Sequence, residues 1–215
     1  MTEKELEEKK FNKSSKGLFG YLFPTDPLSI SVLGVFTALT CVVTMLIAFP
    51  VPATQGFINI GDAIVMITGL LFGPIIGAIA GGVGSALADV FLGYTLYAPA
   101  TLVIKGAEGF IVGLISNPRK HHEKLNYRDI LGVLLGGLVM VIGYFLYEVL
   151  IFGVPMATYE LILNGLMQFG LGGLIAIIFT LSSRRNLIEN LPQVFEKIFM
   201  FDEIEGIKEE SGPRS

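Results

Sequence analysis

The side chains most able to do chemistry in this sequence are ionisable and amide groups placed within, or at the edges of, long apolar stretches. They are Asn59, Asp62, Asp89, Lys105, Glu108, Glu148, Asn164 and Gln168. A charge in apolar surroundings is costly unless it is paired or hydrated, so each of these groups is a candidate for function. They could pair with one another, relay protons or hydrogen-bond a polar solute.

Helical spacing groups most of these side chains into stripes. One stretch carries four polar residues on one helix face, namely Tyr97, Thr101, Lys105 and Glu108. Each of the next two stretches carries a pair four residues apart, Tyr144 with Glu148 and Asn164 with Gln168. Because residues three and four apart share a helix face, three consecutive helices are predicted to turn a polar stripe inward.

We expect these stripes, together with Asn59, to line a site for a small polar solute. Small-ligand pockets combine a few converging polar groups with apolar and aromatic walls, and tyrosines near the stripes could supply the rings. In the alternative interpretation, Lys105 and Glu108 only neutralise each other. Asp62 and Asp89 would then cap or bridge helices.

Motifs for catalysis or metal binding are missing from the sequence. It contains no HExxH, no GxSxG and no phosphate-binding Gly-Lys-Ser/Thr loop, and its two histidines, His121 and His122, are adjacent in a polar loop. We therefore expect no enzyme, no metal site and no cofactor. The net charge of −4 also argues against a nucleic-acid partner.

The elements that position these residues are six apolar stretches in a chain with only 16% charged residues, against roughly 25% in soluble domains. The stretches are Leu28–Phe49, Ile60–Phe72, Pro74–Gly93, Tyr97–Ser116, Ile130–Phe152 and Ala157–Leu181. A bilayer-spanning helix needs about 20 residues, so the second stretch is too short to cross upright. We predict an all-α membrane protein, a bundle of six transmembrane helices.

The basic residues predict the orientation of this bundle. Lys and Arg cluster in the N-terminal tail, in the loop 117–129 and after the sixth stretch, whereas the alternate loops contain none. The positive-inside rule then places both termini in the cytoplasm. At 1.5 Å per residue, all the buried polar groups fall between the outer surface and the midplane, as in a pocket open to the outside. The predicted division is a cytoplasmic tail (1–27), a substrate-binding membrane domain (28–182) and a charged, amphipathic cytoplasmic tail (183–215).

Two further patterns concern packing. Small residues recur every four positions at Gly73, Gly77, Gly81 and Ser85, at Gly109 and Gly113, and at Gly132 and Gly136, a spacing that lets membrane helices approach closely. On the first stretch Gly34 and Ala38 form a similar pair that a partner helix could contact.

In the C-terminal tail, Leu191, Val194, Ile198 and Phe201 predict an amphipathic helix lying on the inner membrane surface.

Particular sequence runs resemble a known family. They are Phe57–Ala63, Leu70–Pro74, Gly77–Asp89 and the segments Tyr97–Pro99 and Lys105–Gly109. These runs are similar to the substrate-binding S components of energy-coupling factor (ECF) vitamin transporters, in the branch that includes riboflavin, pyridoxine and hydroxymethylpyrimidine carriers. The resemblance covers roughly Ser29 to Ser182, and Asn59–Glu108 is its specific part.

The resemblance implies a six-helix subunit that captures a vitamin outside the cell and works with a membrane coupling subunit and two cytoplasmic ATPase subunits. In the family an Ala-xxx-Ala motif on the first helix contacts the coupling subunit. Gly34 and Ala38 match its spacing, with Gly in place of the first Ala.

The mixed polar set favours a pyridoxine- or hydroxymethylpyrimidine-like ligand, followed by riboflavin. The alternatives are an assembly subunit that binds no ligand, a stand-alone secondary carrier and, last, an intramembrane enzyme. A secondary carrier usually shows internal repeats and polar groups on both sides of the midplane, and the sequence shows neither.

Overall fold

The computed structural model describes residues 17–52, 54–120 and 125–199. The expectations for residues 1–16, for His121-His122 and for Phe201 lie outside these ranges. Within them the chain is predominantly helical, with two short antiparallel hairpins.

The helices follow the apolar stretches closely. They are α1 (Pro27–Leu46), α2 (Gly61–Phe72), α3 (Pro74–Leu92), α4 (Ala98–Ser116), α5 (Tyr127–Phe152), α6 (Val154–Leu163), α7 (Gly172–Asn190) and α8 (Pro192–Ile198). A π-helical segment, Asn164–Leu171, joins α6 to α7, so that Val154–Asn190 is one helical run of 37 residues. The hairpins are β1 (Gly17–Leu18) with β2 (Tyr21–Leu22), and β3 (Ala48–Val51) with β4 (Gly56–Asn59).

Five helical segments in the described residues are long and apolar enough to cross a membrane: α1, α3, α4, α5 and the run from α6 to α7. The last segment continues beyond Leu181, where the sequence places its end, and stops at Asn190. Leu191 precedes Pro192, and a residue before proline is disfavoured in the helical region. The predicted boundary between the membrane domain and the C-terminal tail therefore falls inside a continuous helix.

The chain runs back and forth between two ends of the bundle. We call the end that carries β1–β2, α8 and the loop between α4 and α5 the terminal end, and the opposite end the β3–β4 end. α2 starts directly after β4 at the β3–β4 end and reaches the terminal end in 12 residues. The hairpin thus supplies the length that the short apolar stretch lacks.

Helix α2 lies at the centre of the bundle, and every residue in it except Ile64 is buried. Such a helix cannot satisfy its terminal N–H and C=O groups with water. At its start the Asn59 side chain accepts a hydrogen bond from the Gly61 N–H (2.8 Å). At its end the Leu70 carbonyl accepts one from the Arg184 guanidinium (2.9 Å).

The recurrent small residues form contacts between helix backbones. A Cβ placed on Gly109 of α4 would lie 2.2 Å from the carbonyl oxygen of Gly77 on α3, and one on Gly136 of α5 would lie 3.1 Å from the carbonyl oxygen of Glu108. The prediction of close helix approach at these positions is confirmed. Gly34 differs, because it is exposed and nothing lies within 4 Å of a Cβ placed there.

The two ends of the described chain pack together at the terminal end. Tyr21 is 1% exposed; its hydroxyl donates to the Asn117 side chain (3.1 Å) and its ring meets Phe199 edge-on. Burial raises the pKa of Tyr21 to about 12, so its hydroxyl remains a neutral donor.

Helix α8 packs its apolar side chains against the bundle. Its apolar residues Val194 and Ile198 are buried against the bundle, whereas Leu191 is exposed. The ring of Phe195 stacks on Phe72 at the end of α2 (5.7 Å between centroids). The seven residues of α8 therefore turn their apolar side chains to protein, where the sequence leads us to expect lipid.

A buried ion pair joins three helices at the terminal end. The Arg184 guanidinium donates to both carboxylate oxygens of Asp129 (3.0 and 2.9 Å) as well as to Leu70. Asp129, in the first turn of α5, also accepts from the Asn126 N–H (2.8 Å). The Arg184 cation therefore satisfies the end of α2 while its own charge is neutralised by Asp129.

We expect Arg184→Met to lower the free energy of unfolding by about 3–5 kcal/mol, because it leaves a buried carboxylate without its cation. The control is Arg185→Met, which removes an exposed pair with Glu189 and should cost less than about 1 kcal/mol. Thermal or denaturant unfolding of the purified proteins in detergent measures both. Equal losses in the two variants would show that the buried pair does not hold the end of α2.

Candidate ligand-binding site

A polar cavity lies toward the β3–β4 end of the bundle, with about 360 Å³ of empty space between its walls when the part open to solvent is included. Five helices, the π segment and the β4 strand contribute to its wall. Its lining residues are Thr44, Phe57, Asn59, Ser85, Asp89, Tyr97, Thr101, Lys105, Tyr144, Glu160, Asn164 and Gln168. The wall thus combines aromatic rings with amides, hydroxyls and charged groups.

The structure brings most of the residues singled out from the sequence to this cavity. Those that line it are Asn59, Tyr97, Lys105, Tyr144, Asn164 and Gln168. Glu108 and Glu148 do not line it, although both are completely buried. Glu108 lies behind Lys105, and Glu148 lies against Glu160.

Several lining residues are not among the site residues that the sequence predicts. Thr44 and Ser85 are short side chains on α1 and α3, and Phe57 lies on a strand whose pairing the sequence does not reveal. Glu160 could have been predicted from the sequence, because it stands four residues before Asn164 and eight before Gln168. Extending the polar stripe of Asn164 and Gln168 by one step toward the N-terminus identifies it.

Lys105 is the centre of a buried charge cluster. Its ammonium group pairs with the Asp62 carboxylate and with Glu108 Oε2 (3.2 Å), and lies 5.6 Å from the centroid of the Tyr144 ring. Asp62 belongs to the first turn of α2, where the helix dipole favours a negative charge. The cluster therefore ties α4 to the start of α2 beside the cavity.

The π segment presents two amides to the cavity. Gln168 Nε2 donates to Asn164 Oδ1 (2.5 Å), and Gln168 Oε1 accepts from the Asn59 N–H (3.3 Å). Asn164 is 1% exposed, and within the described ranges its Nδ2 atom has no hydrogen-bond acceptor. A buried donor without a partner is costly, so Asn164 is suited to donate to a bound molecule.

Aromatic side chains form the side of the cavity nearest the hairpin. The Tyr97 hydroxyl donates to the Thr54 carbonyl (3.0 Å) in the turn between β3 and β4. The Tyr144 hydroxyl donates to Thr101 Oγ1 (3.0 Å), and Phe57 contacts the Tyr94 ring (4.6 Å between centroids). These hydrogen bonds fix the tyrosine rings, leaving their faces and edges to contact a ligand.

Acidic groups outnumber basic ones around the cavity. The carboxyl groups are those of Asp62, Asp89, Glu108, Glu148 and Glu160, all at most 3% exposed. In the same part of the described structure Lys105 is the cation that meets them. Buried charges of one sign are strongly unfavourable, so some of these carboxyls hold protons or are neutralised by a bound molecule.

A bundle of long apolar helices with a polar cavity near one end is the architecture expected of a membrane-embedded binding protein. The family model for the ECF-type riboflavin transporter, S component, matches residues 26–185. The chain belongs to this family. It is a multi-pass membrane protein and a transport subunit that binds a vitamin or vitamin precursor, and it is not an enzyme.

Curated relatives include one named as a transporter. The chain is 48% identical over 119 residues to an "uncharacterized protein in gap 3'region" of Pyrococcus woesei, covering 55% of this chain and 77% of the relative. It is 34% identical over 125 residues to the thiamine precursor transporter HmpT of Lactococcus lactis subsp. cremoris, covering 58% and 69%. A UPF0397 protein of Streptococcus pneumoniae is 34% identical over 106 residues, which are 47% of this chain and 56% of that protein.

We expect Lys105→Met to destabilise the protein strongly, because two buried carboxylates lose their cation. Adding Asp62→Asn should recover part of the loss, because it removes one of the stranded charges. Melting temperatures of the two single variants and the double variant form a double-mutant cycle. Strictly additive effects would contradict the pairing of Lys105 with Asp62.

Proposed function

We propose that the cavity captures a single-ring, water-soluble vitamin precursor of the hydroxymethylpyrimidine or pyridoxine type, with riboflavin as the second candidate. The observation that carries this proposal is the pairing of amides and a carboxylate with aromatic rings around a small cavity. The likeness to a relative named as a thiamine precursor transporter supports the same ligand class.

The limited space in the cavity favours the smaller ligand. About 360 Å³ is empty between the walls when the part open to solvent is included, but the enclosed space that a water-sized sphere can occupy is only about 20 Å³. Any ligand therefore needs the walls to move apart. A substituted pyrimidine or pyridine ring needs less movement than riboflavin, which has three fused rings and a ribityl chain.

The polar groups suit a neutral or basic heterocycle. Asn164 offers its Nδ2 as a donor, while its Oδ1 accepts from Gln168 and keeps one lone pair for an amino group of the ligand. Lys105 is already paired with two carboxylates, so it is poorly available for a phosphate, and the surplus of acidic groups repels one. We therefore propose that phosphorylated forms of the vitamin are rejected.

We propose the following topology. The chain crosses the membrane six times, with α2 and the β3–β4 hairpin together forming the second crossing and both termini in the cytoplasm. The described Lys and Arg residues outside the cavity, such as Arg119, Arg128 and Arg185, all lie at the terminal end, which supports a cytoplasmic location for that end. The cavity then opens to the outside, within a membrane domain at 28–182 that is flanked by the tails 1–27 and 183–215.

For energy, the subunit depends on partners. Membership in the family implies a membrane coupling subunit and cytoplasmic ATPase subunits. We propose that the outward face of α1, including Gly34 and Ala38, contacts the coupling subunit. Both residues are exposed, and the open space at Gly34 would admit a closely packed helix.

We expect hydroxymethylpyrimidine or pyridoxine to stabilise the purified protein, because a ligand that binds only the folded state adds about 2.7 kcal/mol at 100 times its Kd. Thermal unfolding in detergent against both compounds, their phosphates, thiamine and riboflavin gives the ranking, and calorimetric titration gives the Kd values. Stabilisation by riboflavin alone would contradict the size argument while leaving a vitamin-binding function in place.

Asn164→Leu should weaken binding of the preferred ligand at least about tenfold, the equivalent of one good hydrogen bond in a buried site. The matched control is Asn190→Leu, since Asn190 is an exposed helical amide at the terminal end. If both variants bind as the wild type does, the cavity lined by the π segment is not the binding site.

A further inference from the structure

Two carboxyl groups meet beside the cavity. Glu148 projects from α5 and Glu160 from α6, and they are 0% and 2% exposed. The two carboxyls are near enough for each to act on the charge of the other. Only Glu160 also lines the cavity.

The surroundings of the pair contain little to neutralise two negative charges. None of the ion pairs within the described ranges involves either group. Tyr97 is a titratable neighbour of both carboxyls, and its hydroxyl donates to the Thr54 carbonyl. Two buried carboxylates in contact cannot both remain ionised without a cation.

The two carboxyls differ in the donors available to them. The Thr54 hydroxyl donates to Glu160 Oε2. Among the residues that the structure describes, no donor reaches either carboxyl oxygen of Glu148. A hydrogen bond to a carboxylate favours its charged form, so the negative charge is better accommodated on Glu160 and the proton on Glu148.

We propose that Glu148 is a protonated, neutral positioning residue that donates a hydrogen bond to Glu160, and that the Glu160 carboxylate accepts N–H donors of the ligand. This inference rests on the proposed function of the same cavity and names the part of the ligand that is recognised. Glu148 would then act through Glu160 and would not touch the ligand. The sequence, by contrast, led us to expect that Glu148 itself binds the ligand.

This arrangement selects ligands by their donors. A carboxylate accepts hydrogen bonds and offers none, so it suits an exocyclic amino group or a protonated ring nitrogen. A heterocycle that carries an oxo group at the same place would set a carbonyl oxygen against the carboxylate. Sites built around such a hydrogen bond discriminate strongly against analogues that lack it.

Substitutions that keep or remove the proton donor test the inference. Glu148→Gln replaces a protonated carboxyl by an amide that also donates, so its Kd for 4-amino-5-hydroxymethyl-2-methylpyrimidine should remain within about threefold of the wild type. Glu148→Ala and Glu160→Gln should each weaken binding about tenfold or more, because one removes the donor and the other the charged acceptor. The oxo analogue of the same pyrimidine should bind poorly to the wild type.

Infrared spectroscopy measures the protonation of Glu148 without any ligand. The carbonyl stretch of a protonated carboxyl should be present in the wild type at neutral pH and lost in Glu148→Gln, as seen in the difference spectrum of the two folded proteins. Melting curves confirm that each variant is folded.

The outcomes separate the inference from the proposed function. A missing difference band, or a Glu148→Gln variant as impaired as Glu148→Ala, overturns the protonated role of Glu148. A difference band in a wild type that binds no member of the ligand panel supports the shared proton and overturns the proposed function instead.

Discussion

The architecture depends on burying the short helix α2 on all sides. A helix enclosed by other helices in a membrane cannot give its terminal N–H and C=O groups to water, so protein groups must satisfy them. Asn59 does so at the first turn and Arg184 at the last. Each of these residues in turn has a further partner. The Arg184 cation is neutralised by the Asp129 carboxylate, and the Asn59 N–H donates to Gln168. The ion pair at the terminal end and the polar cavity at the opposite end thus have a common origin.

The start of α2 and the cavity are parts of one polar region. Asp62 in the first turn pairs with Lys105, and Asn59 both accepts a hydrogen bond from the first residue of the helix and lines the cavity. Groups that stabilise the fold are therefore next to those available to a ligand. Such a shared framework holds binding groups in place before the ligand arrives, which lowers the ordering cost of binding. It also means that variants at Lys105 change stability and affinity together, whereas Asn164 has a donor to spare.

The sequence predicts the helices well because apolar length and the spacing of small residues follow directly from packing in a membrane. It also predicts six of the cavity-lining residues, since helical spacing places side chains on faces. It does not predict the β3–β4 hairpin, whose residues Phe49, Pro50 and Phe57 show no clear alternation. Nor does it predict that α8 packs on the bundle, because an apolar face does not reveal whether protein or lipid covers it.

The π segment has a geometric consequence for the last long helix. Inward-facing residues recur along it at steps of four: Glu160, Asn164, Gln168, Gly172, Ala176, Thr180 and Arg184. In a regular α-helix four residues turn about 400°, so such a row drifts about 40° around the axis at every step. The wider turns of a π-helix, with hydrogen bonds from residue i to i+5, rotate the row in the opposite sense. The π segment therefore reduces the rotation of this row around the helix axis. As a result, side chains of one continuous helix reach the ligand cavity at one end of the bundle and Asp129 at the other.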